Sequence, residues 1–400
     1  MNINQTQKTL LDVLAHTLTG AECKIPEDTD WAALFAESKA QAVAPIVFLS
    51  ISQYCTDASV SQEWKEVTIR SLQKNRNIQF QHGKLHQLLA EHEIPYAIIK
   101  GCASARDYPD PLLRAMGDVD FLVSDEYWGK ARELLVQQGF TVSGEEHEFH
   151  LAFHKNRFSM EMHHEPFGLK GERATALKSI VPELIEKSSL VNCDGVEFRM
   201  PDLFGHGIVL LLHAYRHLID TGIGVRHLCD WAMFISRFSA AEFTEIFQAR
   251  FEALGIWKLT QIFSATASRY LSIPYQPWMG RIDEQACEML MIDIFDGGNF
   301  GSGKGERTTQ NTSLYEQEKE IASSSSTMQM LRGLNKTAIE RYPRLMSIAI
   351  LRPFGWLILG VRYVFRVLTG RRKKAPSNTM QMVNLRKKLY QEFAVFDIDE

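Results

Sequence analysis

Apolar residues recur at helical spacing from Thr9 to about Gln53. Leu10, Leu11, Val13 and Leu14, then Trp31, Leu34 and Phe35, then Ile46, Val47 and Leu49, lie between polar breaks. A longer helical pattern runs from about Glu63 to His92 and stops at Glu93-Ile94-Pro95, because proline ends a helix and favours extended chain. The period then changes. Tyr96-Ala97-Ile98-Ile99 predicts a short buried strand, followed by Lys100-Gly101, a helical turn to Tyr108 and the loop Pro109-Asp110-Pro111. Asp118 to Val123 alternates as a strand, and Ser124-Asp125-Glu126 opens a helix to about Gln138, where Gly139 supplies the stop. Two alternating runs, Glu148–His154 and Phe158–His164, flank Lys155-Asn156-Arg157 as a hairpin.

Helical periodicity returns over 201–295, and 296–328 is rich in Gly, Ser, Thr and charge. The pattern divides the chain into a helical N-terminal region (1–92), an α/β core (93–200), a helical C-terminal domain (201–295), a flexible loop (296–328) and an amphipathic helical tail (329–400). The fold class expected is α+β, a small mixed sheet flanked by helical regions from both ends of the chain.

Composition narrows the function classes. The chain has 400 residues, 45% of them hydrophobic, with 44 Lys+Arg against 48 Asp+Glu. This is a globular balance with no bulk electrostatic signal for nucleic acid. Six scattered cysteines without a C-x-x-C pair read as reduced thiols, and the N-terminus has no signal-peptide pattern, so a cytoplasmic location is expected. The apolar stretch near 346–368 is interrupted by Arg352, Pro353, Arg362 and Arg366, too short a clean run to span a bilayer. Packing of this segment on the protein body is the expectation, and 344–374 is a candidate for contact with an anionic membrane surface or a partner helix.

Candidate chemistry centres on carboxylates. Asp118 and Asp120, two apart on a strand, share one face while Val119, Phe121 and Val123 take the other. Like charges side by side need neutralising, and a divalent cation such as Mg²⁺ is the usual means. On the second hairpin strand Ser159, Glu161 and His163 lie opposite Phe158, Met160 and Met162, so Glu161 joins the aspartates if the two strands are neighbours. Three carboxylates suit two metals roughly 3.5–4 Å apart clamping a transferring phosphoryl group. Lys100, Gly101, Arg114 and Gly117 bring cations and permissive backbone to the same strand-end region.

The stretch Ile98-Ile99-Lys100-Gly101, Tyr108-Pro109 and Arg114-Ala115-Met116-Gly117-Asp118-Val119-Asp120-Phe121-Leu122-Val123, with Glu161-Met162-His163 later, resembles the bacterial uncharacterised nucleotidyltransferase family of the DNA polymerase β superfamily. The resemblance implies Mg²⁺-dependent transfer of a nucleoside monophosphate from an NTP to a hydroxyl on a small molecule, saccharide or protein, with release of pyrophosphate. It implies that Asp118, Asp120 and Glu161 hold two Mg²⁺ ions and that Glu161 helps activate the acceptor hydroxyl. It also implies that Lys100, the Gly101 amide and Arg114 steady the triphosphate, with His163 near the chemistry. Two positions depart from the wider superfamily: Gly101-Cys102 stands where Gly-Ser or Gly-Gly is usual, and Glu161 replaces an Asp. The alternative that follows is a catalytically inactive nucleotide-binding or scaffold protein on the same fold.

Other signals are weaker. His150, His154 and His163 invite a zinc reading, but no H-E-x-x-H occurs. His206, His213, His217 and Asp220 form a polar stripe on an apolar helix, read as buried histidines or, alternatively, as a lid facing a cleft; Arg226 and Asp230 read as an i,i+4 ion pair. Gly298–Gly305 has phosphate-loop spacing but Gly305 where Ser or Thr is needed, and reads as a loop from which Lys304 reaches toward a nucleotide.

Overall fold

A computed structural model of the chain describes residues 2–143, 149–169, 172–281, 283–299, 335, 338–339, 342–347, 352–368 and 379–395. The sequence expectations for 300–328, including Lys304, and for Arg371–Lys374 lie outside them.

Four helices lead: α1 (Gln5–Thr19), α2 (Trp31–Ala40), α3 (Ala44–Ile51) and the long α4 (Ala58–Glu91). Local chemistry sets their starts. Asn4 and Gln7 form a reciprocal capping box on α1, and Asp57 accepts from the Ser59 and Val60 amides at the head of α4. The α/β part follows as β1 (Tyr96–Ile98), α5 (Cys102–Ala105), β2 (Val119–Val123), α6 (Asp125–Gln137), β3 (Thr141–Ser143), β4 (His150–Lys155) and β5 (Phe158–His163). Then come α7 (Glu172–Lys178), α8 (Ile180–Glu186) and the hairpin β6 (Ser189–Cys193) and β7 (Val196–Met200). The helical part is α9 (Leu203–Ile219), α10 (Val225–Ile235), α11 (Ala240–Phe243), α12 (Ala249–Ala253), α13 (Trp257–Leu271) and α14 (Glu284–Gly297). The tail gives α15 (Pro343–Met346), α16 (Arg352–Leu368) and α17 (Thr379–Phe393).

The expected α+β class is what the structure shows. Five strands form a mixed sheet in the order β1-β2-β5-β4-β3. β2 runs antiparallel to β1 and parallel to β5, with Asp120 opposite Glu161 and Leu122 opposite His163. The hairpin read at 155–157 is present, turning through Asn156 at φ 56°. The sheet separates two apolar clusters. Val119, Phe121 and Val123 pack with Met160, Met162 and the C-terminal half of α4 on one face. Leu122 on the other face joins Ile99, Tyr108 and the helical bodies of α9 and α10. The even-numbered face of β2, which carries Asp120, is thus roofed by the helical region.

Three features were not read from sequence: β3, the α7–α8 pair and the β6–β7 hairpin. The last was legible, since Asp194-Gly195 is a favoured hairpin turn, and both residues take positive φ. In the tail, α17 docks on α14: the buried Arg386 donates to Asp293 at 2.7 Å and to Asp296 at 3.0 Å, and Leu389 and Phe393 enter the main core. α16 does not follow the expectation of burial on the body. Its apolar residues Phe354, Leu357 and Val361 are exposed, because the side turned to α15 is the one carrying Gly355, Leu359 and two arginines. Among the described residues no helix is long and apolar enough to cross a membrane.

Candidate active site

The parallel register brings Asp120 of β2 and Glu161 of β5 side by side, with Asp118 one step before the strand on the same face. Glu161 and His163, two apart on β5, share that face, and His150 across the β4–β5 ladder stands 5.2 Å from His163, ring to ring. Asp118, Asp120 and Glu161 form the floor of a cavity of about 280 Å³. Lys100, Gly101, Arg114, Gly117, Asp118, Asp120 and Glu161 line it from the sheet side; His213, Ala214 and His217 of α9 and Arg226, His227 and Asp230 of α10 line it from the other. All the sequence-predicted site residues except His163 line this cavity, and His163 touches two that do.

The electrostatics follow from burial and close cations. Lys100 Nζ lies 2.6 Å from Asp120 Oδ1, and His163 Nε2 lies 3.0 Å from the same oxygen and 3.5 Å from Glu161 Oε2. Burial opposes charge on Asp120, but the Lys100 ammonium and His163 outweigh it and hold the carboxyl far below the ordinary range. The hydrogen bond from His163 lowers Glu161 against its own burial. Burial likewise disfavours charge on His163, yet its bonds to Asp120 and Glu161 carry it above the usual imidazole value. Asp118 goes the other way: the adjoining Asp120 carboxylate first, then burial, push it up to about 7.

Asp120, Glu161 and His163 each offer a ligand atom, all within 4.8 Å of one another, the sole such cluster among the described residues. The donors suit a hard divalent cation: two carboxylates, with a third, Asp118, beside them on the same strand face. The Nδ1 of His163 is buried without a hydrogen-bond partner.

Other elements fix the loop that delivers Asp118. Asn75, buried in α4, donates to the carbonyls of Leu112 at 2.7 Å and Arg114 at 2.9 Å and accepts from the Met116 amide at 3.1 Å. Nothing in the sequence marked it, because its partners are backbone groups some 40 residues away. Gly101 has a structural need to be glycine: its φ is +62°, and a Cβ there would stand 2.9 Å from His82 Nε2. A Cβ on Gly117 meets open space, so the permissive backbone inferred there is not a steric requirement.

Arg114 reaches the cavity with its donors committed. Its Nε and Nη2 each bond an Asp230 oxygen at 2.8 Å, and Tyr108 donates to Asp230 Oδ1 at 2.7 Å. The i,i+4 pair read between Arg226 and Asp230 is present at 3.6 Å, but it is the outer contact of this buried network. The histidine stripe divides. His206 is enclosed by Phe234 and lies 3.7 Å from Asp107, whereas His213 and His217 open on the cavity beside His227. The C-terminal half of α9 therefore presents its histidines to the cleft. Burial lowers His217 to about 3 and His213 and His227 well below the usual imidazole value. The zinc grouping is not formed, since His154 pairs with Ser159 at the far, exposed end of the hairpin.

Residues 27–272 match the model of a family described as "Uncharacterised nucleotidyltransferase", which spans the sheet, the carboxylates and the roofing helices. No curated protein and no solved structure matches the chain. The match covers more than half of the sequence, and the chain belongs to the uncharacterised nucleotidyltransferase family.

Proposed function

We propose that this member of the family transfers a nucleoside monophosphate from an NTP to a hydroxyl acceptor, with Asp118, Asp120 and Glu161 as the residues that hold Mg²⁺. The observation that carries the reading is the parallel register of Asp120 with Glu161, which stacks carboxylates on the floor of a cavity whose opposite wall carries Arg226 and three histidines. It also supports placement in the DNA polymerase β-like superfamily. When bound, divalent cations would draw charge from the transferring phosphoryl group and lower the acidity barrier of the acceptor hydroxyl.

The chain's own residues do the rest. Lys100, the Gly101 backbone and Arg226 surround the space facing the carboxylates and meet the negative charge of a triphosphate, while the neutral His213 and His217 rings line the same space. Arg114 adds positive potential from behind while its donors keep α10 in place through Asp230. Of the two carboxylates beside His163, Glu161 is the more open, 27% against 6% for Asp120, so an acceptor hydroxyl can reach it. The acceptor oxygen forms the new bond to the α-phosphorus, the α–β phosphoanhydride bond breaks, and pyrophosphate leaves. His163 is a positioning residue that orients the Asp120 and Glu161 carboxylates.

The test is transfer of label from each α-³²P-NTP, with Mg²⁺, into a cell extract. Wild type is expected to label an acceptor and the Asp118→Asn/Asp120→Asn variant to label nothing. Equal labelling by a folded variant overturns the assignment, and binding of NTP without transfer by wild type points to the non-catalytic alternative on the same fold.

A further inference from the structure

α16 exposes the wrong face for a helix of a globular body. Phe354, Leu357, Ile358 and Val361 recur at spacings of three, one and three and form one stripe, with Leu357 63% and Val361 61% exposed. The opposite side is satisfied within the tail: Leu359 packs with Ala338 and Met346, Gly355 faces Met346, Arg352 Nε donates to the Met346 carbonyl at 3.1 Å, and Arg362 Nη1 donates to the Tyr342 hydroxyl at 2.9 Å. The small cluster beneath α16 is separate from the two clusters of the main body.

Charge says what covers the stripe. From Arg341 to Lys374 the sequence has nine Lys and Arg and no Asp or Glu, within a chain whose net charge is −4. We propose that α16 is an interfacial helix that lays its Phe354/Leu357/Ile358/Val361 stripe into the surface of an anionic lipid bilayer, to which the net positive charge of this part of the sequence is attracted. At 17 residues it is about 26 Å long, short of the roughly 30 Å hydrocarbon core, so it lies in the surface and does not span it. A local concentration of cations is attracted to an anionic leaflet in a salt-dependent way. Nucleic acid would satisfy the cations but leaves a purely aliphatic and aromatic stripe in water, and a second copy of the chain would bring like charge against like.

The experiment is co-sedimentation of the full chain with vesicles of phosphatidylcholine alone or with one quarter phosphatidylglycerol, at low and at 0.5 M salt. Binding is expected to rise at least tenfold with the anionic lipid and to fall with salt. Leu357→Glu/Val361→Glu alters two exposed side chains, so its far-UV circular dichroism and melting point stay those of wild type while vesicle binding drops at least tenfold. The proposal is overturned by absence of vesicle binding, by binding that the variant leaves unchanged, by preference for a single-stranded oligonucleotide over anionic vesicles, or by an oligomer that the variant dissociates. None of these outcomes depends on nucleotidyl transfer.

Discussion

Replacing Asp230 with Asn isolates the network that fastens the helical roof to the sheet. Arg114 and Asp230 are each 4% exposed, and the change leaves the guanidinium with its two 2.8 Å acceptors reduced to one neutral oxygen. Hydrogen bonds to charged groups contribute about 1.5–3 kcal/mol each, so losing their ionic character together is expected to cost about 3–5 kcal/mol, the range for a buried pair stripped of one partner. Arg114→Met should cost less, because Asp230 keeps Tyr108 at 2.7 Å and Arg226 at 3.6 Å. The double variant should lose less than the sum of the singles, since Arg114 and Asp230 are then removed together and neither is left facing the other's empty place. Urea titration of the four proteins gives the cycle, and nucleotide titration of the same four separates two roles for Arg114. A positioning role has Asp230→Asn weaken NTP binding along with stability; a direct triphosphate ligand would instead be released by that change and bind NTP more tightly. A destabilisation under about 1 kcal/mol for Asp230→Asn, the value of an exposed ion pair, would refute the buried latch.

Mg²⁺ should raise the melting temperature of wild type in a concentration-dependent way and leave Asp120→Asn unmoved, measured by differential scanning fluorimetry; equal shifts place the ion elsewhere. Gly101→Ala combines a φ of +62° with a Cβ 2.9 Å from His82 and should destabilise by about 1–3 kcal/mol, partly relieved by His82→Ala in calorimetry of the pair. Asn75→Ala strips three backbone partners from the loop before Asp118 and should cost about 1–3 kcal/mol while lowering kcat more than it raises KM in the transfer assay. Burial holds His82 at about 4 and His217 at about 3, both below the unfolded value near 6.5. The unfolded chain therefore binds more protons between these limits, so this stability is present above about pH 6.5 and is lost as pH falls toward 4, at about 1 kcal/mol per pH unit for each histidine. Urea midpoints at pH 7, 6 and 5 check it, and a flat profile would contradict the neutral burial of these rings.

Much of the floor of the site was legible because its determinants are local. Alternation alone puts Asp118 and Asp120 on one face and Glu161 with His163 on another strand's polar face, and Gly139 and Ser124 bound the intervening helix. What alternation cannot supply is which strands are neighbours. The parallel pairing of Asp120 with Glu161 joins segments 41 positions apart, and hydrophobic burial of both sheet faces selects it. Arg226 and Asp230 illustrate the same limit. Their i,i+4 spacing was readable, whereas the bond from Arg114 to Asp230, 116 residues distant, depends on α10 packing beside α5 and the loop that carries Arg114.

By itself the sequence determined an α+β chain with a carboxylate pair on a strand, a third acid beside a histidine, and a basic, amphipathic tail, since each follows from residue spacing within one element. The tertiary structure decided that those acids meet, that Arg114 serves Asp230, that half of the α9 histidine stripe opens on the cavity, and that α16 turns its apolar face outward. These outcomes depend on which surfaces bury one another, a choice made by long-range packing and not by the period of any single segment.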